Sequence, residues 1–149
     1  MEHYIFNSSS LETIDSKRVP SVEVIKHRLA LKMWPLYSNT ANRGKIEVGD
    51  ACVFYAAGHQ RTAQHFVAKA TVSEIKDCPK GLTLDKENWL TDPPDTVVHL
   101  TDIVIFSDPV SIRDRLDKLS FISNKKAWGN SLQGGTRSIS KADFARCLP

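Results

Sequence analysis

Apolar residues recur along this chain with two periods, one suited to strands and one to helices. Tyr4-Ile5-Phe6 is a short apolar run that ends in Asn7-Ser8-Ser9-Ser10. It predicts a first strand leaving its sheet through a polar loop. Leu11 to Asp15 predicts a helical turn. Pro20 then opens a helix, because its missing N–H costs nothing in a first turn. Val22, Ile25, Leu29 and Met33 form one apolar face, with Lys26, Arg28 and Lys32 largely off it. Pro35 ends that helix at or before Trp34, since a residue preceding proline is pushed out of the α region. Leu36 to Arg43 reads as a polar loop or short helix, and Gly44 to Asp50 as a turn into a strand.

Ala51 to Ala56 is too continuously apolar for an exposed edge and predicts a central strand. Gly58 to Thr62 reads as a hairpin loop, and His65 to Ile75 alternates as a long strand. Residues 77–95 hold Pro79, Pro93, Pro94, many charges and Trp89. They predict a long excursion folding partly over the sheet, of the kind that is often functional. Thr96 to Phe106 predicts a strand bent at Thr101-Asp102, and Pro109 a helix over Val110 to Leu116 with Leu119 and Phe121 packed behind it. Ser138-Ile139 reads as a short strand. Ser140-Lys-Ala-Asp143 fits a capping box ahead of a final helix, Lys141 to Cys147. The count is five to six strands with three or four short helices and no regular βαβ alternation. That favours one α+β domain over residues 1–149, built on a small curved sheet or barrel, and disfavours a doubly wound sheet.

Composition narrows the class. With 149 residues, 41% hydrophobic and 25% charged, the chain reads as one soluble globular domain with a sizeable core. No apolar run is long enough to span a bilayer, so no membrane partner is expected. Nothing at the N-terminus resembles a secretory signal, and the three cysteines, Cys52, Cys78 and Cys147, are odd in number and widely spaced. Both features predict a cytoplasmic location with free thiols. Cys52 lies in an apolar run and reads as a small buried hydrophobe. A net charge of +3 permits a nucleic-acid partner without demanding one.

Catalytic and cofactor signals are weak. His3, His27, His59, His65 and His99 lack metal-ligand spacing, no nucleophile elbow is present, and no cofactor is expected. Gly129 to Gly135 matches neither a P-loop nor a dinucleotide fingerprint. What stands out is aromatic. Trp34 precedes Pro35, Trp128 follows Asn124-Lys125-Lys126 and opens the glycine turn, and Trp89 sits on the long excursion. Tryptophans in polar, Asn-containing surroundings suit a pocket for a planar ligand, since an extruded base is read by stacking and by hydrogen bonds to its edge. Taken singly, each Trp serves equally well as core and each Asn as a turn former.

Several segments resemble the EVE domain of the PUA-like superfamily, related to YTH domains, in its small stand-alone prokaryotic branch. They are Ile46-Glu-Val-Gly-Asp50 before Cys52-Val-Phe-Tyr55, then Phe66-Val-Ala-Lys-Ala70, then Leu116-Asp-Lys-Leu-Ser-Phe-Ile-Ser-Asn-Lys-Lys-Ala-Trp-Gly129, and finally Ile139 to Phe144. The resemblance covers nearly the full length. It implies a PUA-like mixed, mostly antiparallel β-barrel flanked by short helices.

For function, the resemblance implies a non-catalytic module that accepts a flipped modified base, such as 5-methylcytosine or 5-hydroxymethylcytosine in DNA or a methylated base in RNA. Defence or restriction proteins acting in trans are further implied partners. By position, Trp34 would stack on the base, with Trp89 or Trp128 as second wall; Asn7, Ser8, Asn124 and the main chain at Pro35 would read its edge. Arg43, Lys125, Lys126 and Arg137 are expected to hold flanking phosphates, which position a strand without specifying sequence. A sensor of small molecules or modified nucleosides using the same pocket is the alternative. An enzyme acting on RNA or a modified base, with Asp50 or Asp102 as base, is a more distant one, and Asp50 after Gly49 reads more simply as a turn residue.

Overall fold

A computed structural model of the chain describes residues 1–79, 84–132 and 134–149, with residue 130 described by its backbone alone. Residues 80–83 of the predicted excursion and residue 133 of the glycine turn lie outside the described residues. In chain order the strands are β1 (His3–Ser8), β2 (Leu11–Glu12), β3 (Arg18–Val19), β4 (Met33–Leu36), β5 (Ala51–Ala56), β6 (His65–Asp77), β7 (Thr96–Ser111) and β8 (Thr136–Ile139). Two helices, α1 (Ser21–Ala30) and α2 (Lys141–Arg146), and three short 3-10 turns complete the elements. Six strands form one curled sheet in the order β4-β7-β6-β5-β1-β8, and β2 and β3 make a separate ribbon. Among the described residues, only β1 and β5 run parallel; every other strand pairing is antiparallel. The result is an α+β half-barrel.

The central strands are apolar on both faces, which accounts for their unbroken runs. Tyr4, Phe6, Cys52 and Phe54 point to one cluster, with Ile25, Leu29, Trp34 and Leu36. Ile5, Val53 and Tyr55 point to the other, with Phe66, Ile112, Leu119 and Ile122. The edge strands β4 and β8 do not pair with each other. Instead the segment after β4 is stitched to the start of β8: Ala41 N–H donates to Gly134 O, Asn42 Nδ2 to Thr136 O, and Thr136 Oγ1 to Ala41 O.

Several expectations need correction. Leu11–Glu12 is a strand, not a helical turn, because Ser16 takes a left-handed φ of 63° and folds the segment back onto Arg18–Val19. Met33 is not helical. The chain leaves α1 through Lys32 at φ 57°, and Pro35 then holds Trp34 extended in β4. Arg28 is not off the buried face, since it is 6% exposed and paired with buried Asp85. Val110 is not helical either. Phe66 faces Val110 while Ala68 faces Ile105, so residues 106–109 bulge out of the ladder. A proline costs no ladder bond there, and Pro109 is accommodated inside β7. The helix expected over Val110 to Leu116 is reduced to 3-10 turns at Ile112–Asp114 and Leu116–Lys118. The bend expected at Thr101-Asp102 is present as a bulge, with Asp102 at φ 52°.

The capping box is half formed. Ser140 Oγ accepts from Asp143 N–H, but the Asp143 carboxylate turns away to accept from the N–H and hydroxyl of Ser120.

Candidate functional site

One cleft of about 1500 Å³ opens where the first loop, the segment after β4 and the tail turn converge. Its lining includes Tyr37, Asn39 and the stretch Thr91 to Asp95, together with His59, Gln64, Arg113, Lys126 and Trp128. Asn7, Ser8, Tyr55, Gly134 and Gly135 also line it.

The fold holds these groups with ordinary local devices. Asn7 is the seventh residue of the chain, where β1 runs out of the sheet, and its Nδ2 donates to Leu132 O, tying the first strand to the tail turn. Asn7 N–H donates to Gly135 O. Ser8 Oγ donates to Ser9 O. Tyr55 rests on Phe66 with ring centroids 5.1 Å apart, and burial pushes its phenol pKa up. Burial also raises the Tyr37 phenol, opposed by the Arg28 guanidinium beside it. Arg28 is itself fixed by two 3.0 Å hydrogen bonds to the Asp85 carboxylate. Trp128 is half-buried, with the Arg113 guanidinium 5.5 Å above its ring.

The predicted residues therefore separate. Asn7, Ser8, Lys126 and Trp128 line the cleft. Trp34 does not. It is 2% exposed and packs against Phe54 at 4.8 Å and Phe6 at 6.1 Å, with Arg28 5.1 Å over its ring. Its faces are filled by the core, so no base stacks on it in this arrangement. Pro35 is buried in β4, where its main chain pairs with Val97. Trp89 belongs to a satellite cluster with Val19 and Val24 and meets His27 edge-on at 4.9 Å. Asn124 is exposed, and its Oδ1 accepts from the N–H groups of Lys126 and Ala127, which is a turn-forming role.

Among the predicted phosphate contacts, Arg43 is paired with Asp95. Lys125 Nζ donates to Leu116 O and Leu119 O. Arg137 lies 5.5 Å over Phe121. Asp50, once a candidate base, accepts from Glu2 N–H and Glu47 N–H and is buried away from the cleft. Sequence reasoning passed over Tyr37, Tyr55, Gln64 and Arg113. A signal existed only for Tyr37, three residues past Trp34 in a polar stretch. The others sit in apolar or hairpin sequence that gives no hint of a shared opening.

A curled, mostly antiparallel sheet with short flanking helices, opened by a polar cleft, is an architecture of the PUA-like type. The EVE domain family model matches residues 16–148, and the chain belongs to that family. The human THYN1 protein, solved in complex with 5-methylcytosine-containing DNA, superimposes with a TM-score of 0.59 at 14% identity, covering 97% of this chain and 94% of THYN1. Protein Atu2648 from Agrobacterium tumefaciens gives 0.55 at 15% identity, over 99% and 91% of the two chains. The N-terminal domain of Staphylothermus marinus McrB gives 0.52 at 8% identity, over 97% and 92%. At such identities the likeness is one of fold. No curated protein matches the chain in sequence.

Proposed function

We propose that this EVE domain is a binding module that admits a flipped, modified base of DNA or RNA into the cleft beside Trp128 and releases it unchanged. The observation that carries this reading is the cleft itself. It is lined by the half-buried Trp128 indole, two phenols, and amide and hydroxyl groups, in a family one of whose fold relatives, THYN1, was solved with 5-methylcytosine DNA. Trp128 supplies the stacking face in place of Trp34, with Tyr37 as the second aromatic group of the cleft. Asn7 keeps its Oδ1 for a donor on the base edge while its Nδ2 is engaged. Stacking of this kind contributes about 1–3 kcal/mol per base, so affinity for a short oligonucleotide is modest and falls with salt. The partners are nucleic acids of the cytoplasm, with defence or restriction proteins acting in trans beyond them.

The test is a titration against matched oligonucleotides, plain or carrying 5-methylcytosine, 5-hydroxymethylcytosine or N6-methyladenine, each as DNA and RNA at two salt concentrations. Preference for one modified strand is the expected result. Equal, weak, salt-sensitive binding to all would sink the base-reading role. Tight binding of a free modified nucleoside with little salt dependence would favour a small-molecule sensor, and turnover of a modified strand would favour an enzyme.

A further inference from the structure

We propose that Arg113, with Lys126 beside it, grips the phosphates flanking the bound base, so that the nucleic-acid backbone runs along the Trp128 side of the cleft. This rests on the base-binding reading and adds the strand's path to it.

Cations at the cleft differ in what already occupies them. Arg28 is among the lining residues but is locked to Asp85 and buried. Arg43 is paired with Asp95, a lining residue. Arg113 and Lys126 are exposed, and among the described residues no carboxylate lies within ion-pair distance of either.

Arg113 is also built in place. It follows Ile112, which is fully buried and donates its N–H to Gln64 O. The Gln64 side chain works as a bracket. Its Nε2 donates to Gly58 O, and its Oε1 accepts from Arg113 Nε, each at 3.0 Å. The Trp128 ring supports the guanidinium from below. With Nε engaged and one face stacked, the terminal nitrogens keep a fork that matches two phosphate oxygens.

Asp92, beside Pro93 in the cleft lining, disfavours a polyanion next to it, whereas Asp95 is paired with Arg43; a phosphodiester chain is therefore favoured at Arg113 and Lys126. Of Arg43, Lys125, Lys126 and Arg137, the residues expected from the sequence for this task, Lys126 lines the cleft and the other three do not.

The test uses the oligonucleotide panel above, titrated across several salt concentrations with wild type, Arg113→Gln, Arg113→Lys, Lys126→Gln, Gln64→Leu and Arg137→Gln. Lys17→Gln, in the turn between β2 and β3, is the control. Arg113→Gln is expected to weaken the best-bound strand about tenfold and to lower the log–log salt slope by about one. The preference for modified over plain strand, and affinity for the matching free nucleoside, are expected to stay within about twofold of wild type, because the base contact is separate from the phosphate contact. Arg113→Lys should fall between, keeping charge and losing the fork. Gln64→Leu should weaken binding with the slope unchanged, as a positioning residue would. Unfolding midpoints confirm that each variant is folded. Wild-type affinity and slope in Arg113→Gln, or their loss in Arg137→Gln instead, would overturn the assignment. A reduced slope in Arg113→Gln with no preference for modified strands in wild type would keep the clamp and discard the base reader. No binding to any strand by wild type would discard both.

Discussion

Trp34 and Trp128 are the same residue type put to opposite uses. Trp34 fills the space between Phe6 and Phe54, while Trp128 lies half-buried at a cleft with a guanidinium on one face. Removing a buried tryptophan leaves a cavity and costs about 3–5 kcal/mol. Trp34→Ala is therefore expected to lower the thermal midpoint by many degrees, and any loss of binding should follow the loss of folded protein. Trp128→Ala should leave the midpoint within a few degrees and abolish the preference for a modified strand. Paired thermal melts and titrations of the two variants check this; retained selectivity in folded Trp128→Ala would place the stacking face elsewhere. The sequence presented the two tryptophans alike, each beside polar residues and near a turn. What separates them is long-range: β1 and β5 bring Phe6 and Phe54 onto Trp34 from segments distant in the chain. Local pattern carries no trace of that.

Elements here are held by a few buried polar pairs as well as by packing. Arg28 on α1 reaches Asp85 in the excursion through two 3.0 Å bonds, and both residues are buried. Breaking such a pair from one side leaves a buried charge uncompensated, at about 3–5 kcal/mol. Asp85→Asn is expected to lower the unfolding free energy by that order, seen as a lower urea midpoint, and to speed proteolytic cleavage after Lys86. An unchanged midpoint would show that the pair is not a restraint.

At the other end, Asp143 ties α2 to Ser120. Burial pushes its carboxyl up, but hydrogen bonds from the Ser120 hydroxyl and N–H, from Arg146 and from Ser140 outweigh burial and hold it below its ordinary 3.8. A carboxyl depressed in the folded state stabilises above its unfolded-chain value of about 3.9 and loses that contribution as pH falls through the folded value. Asp143→Asn should therefore be less stable than wild type at about pH 7, with the gap closing as pH falls below about 4 toward the lowered folded-state value. Urea midpoints of both proteins across that range check the sign. The sequence signalled the Ser140 cap correctly but assigned Asp143 to the wrong partner, since Ser120 lies 23 residues away. It also placed the long strands and the central position of β5 well, because their periodicity is local. It missed the helix-to-strand switch at Met33 and the bulged Pro109, where tertiary pairing overrides propensity.

For the molecule as a whole, the seam that closes the half-barrel is also a wall of the cleft. Gly134 and Gly135 adopt φ of 94° and 83°, a region that L side chains rarely take. A Cβ at Gly135 would sit 3.3 Å from Thr40 Cγ2, and one at Gly134 would sit 3.2 Å from Ala41 Cβ. Gly135 O accepts from Asn7 N–H, and Gly134 O accepts from Ala41 N–H, so these two carbonyls join the first strand and the segment after β4 to the tail. Stability and ligand binding must then share a structural origin. Alanine at a left-handed position costs about 1–2 kcal/mol, which for a chain of this size lowers the midpoint by about 2–8 °C. Gly135→Ala is expected to show that drop and to weaken oligonucleotide binding together, because displacing the seam moves Asn7, Trp128 and the cleft mouth as one. Val48→Ala, at a side chain 65% exposed and outside the cleft, should change neither. A saturating ligand should raise the Gly135→Ala midpoint, since binding to the folded state alone adds RT ln(1 + [L]/Kd) to its stability. Thermal melts with and without the best-bound strand decide the matter. A Gly135→Ala variant that melts early yet binds like wild type would separate the seam from the cleft, and the tail would then be a closure of the barrel only.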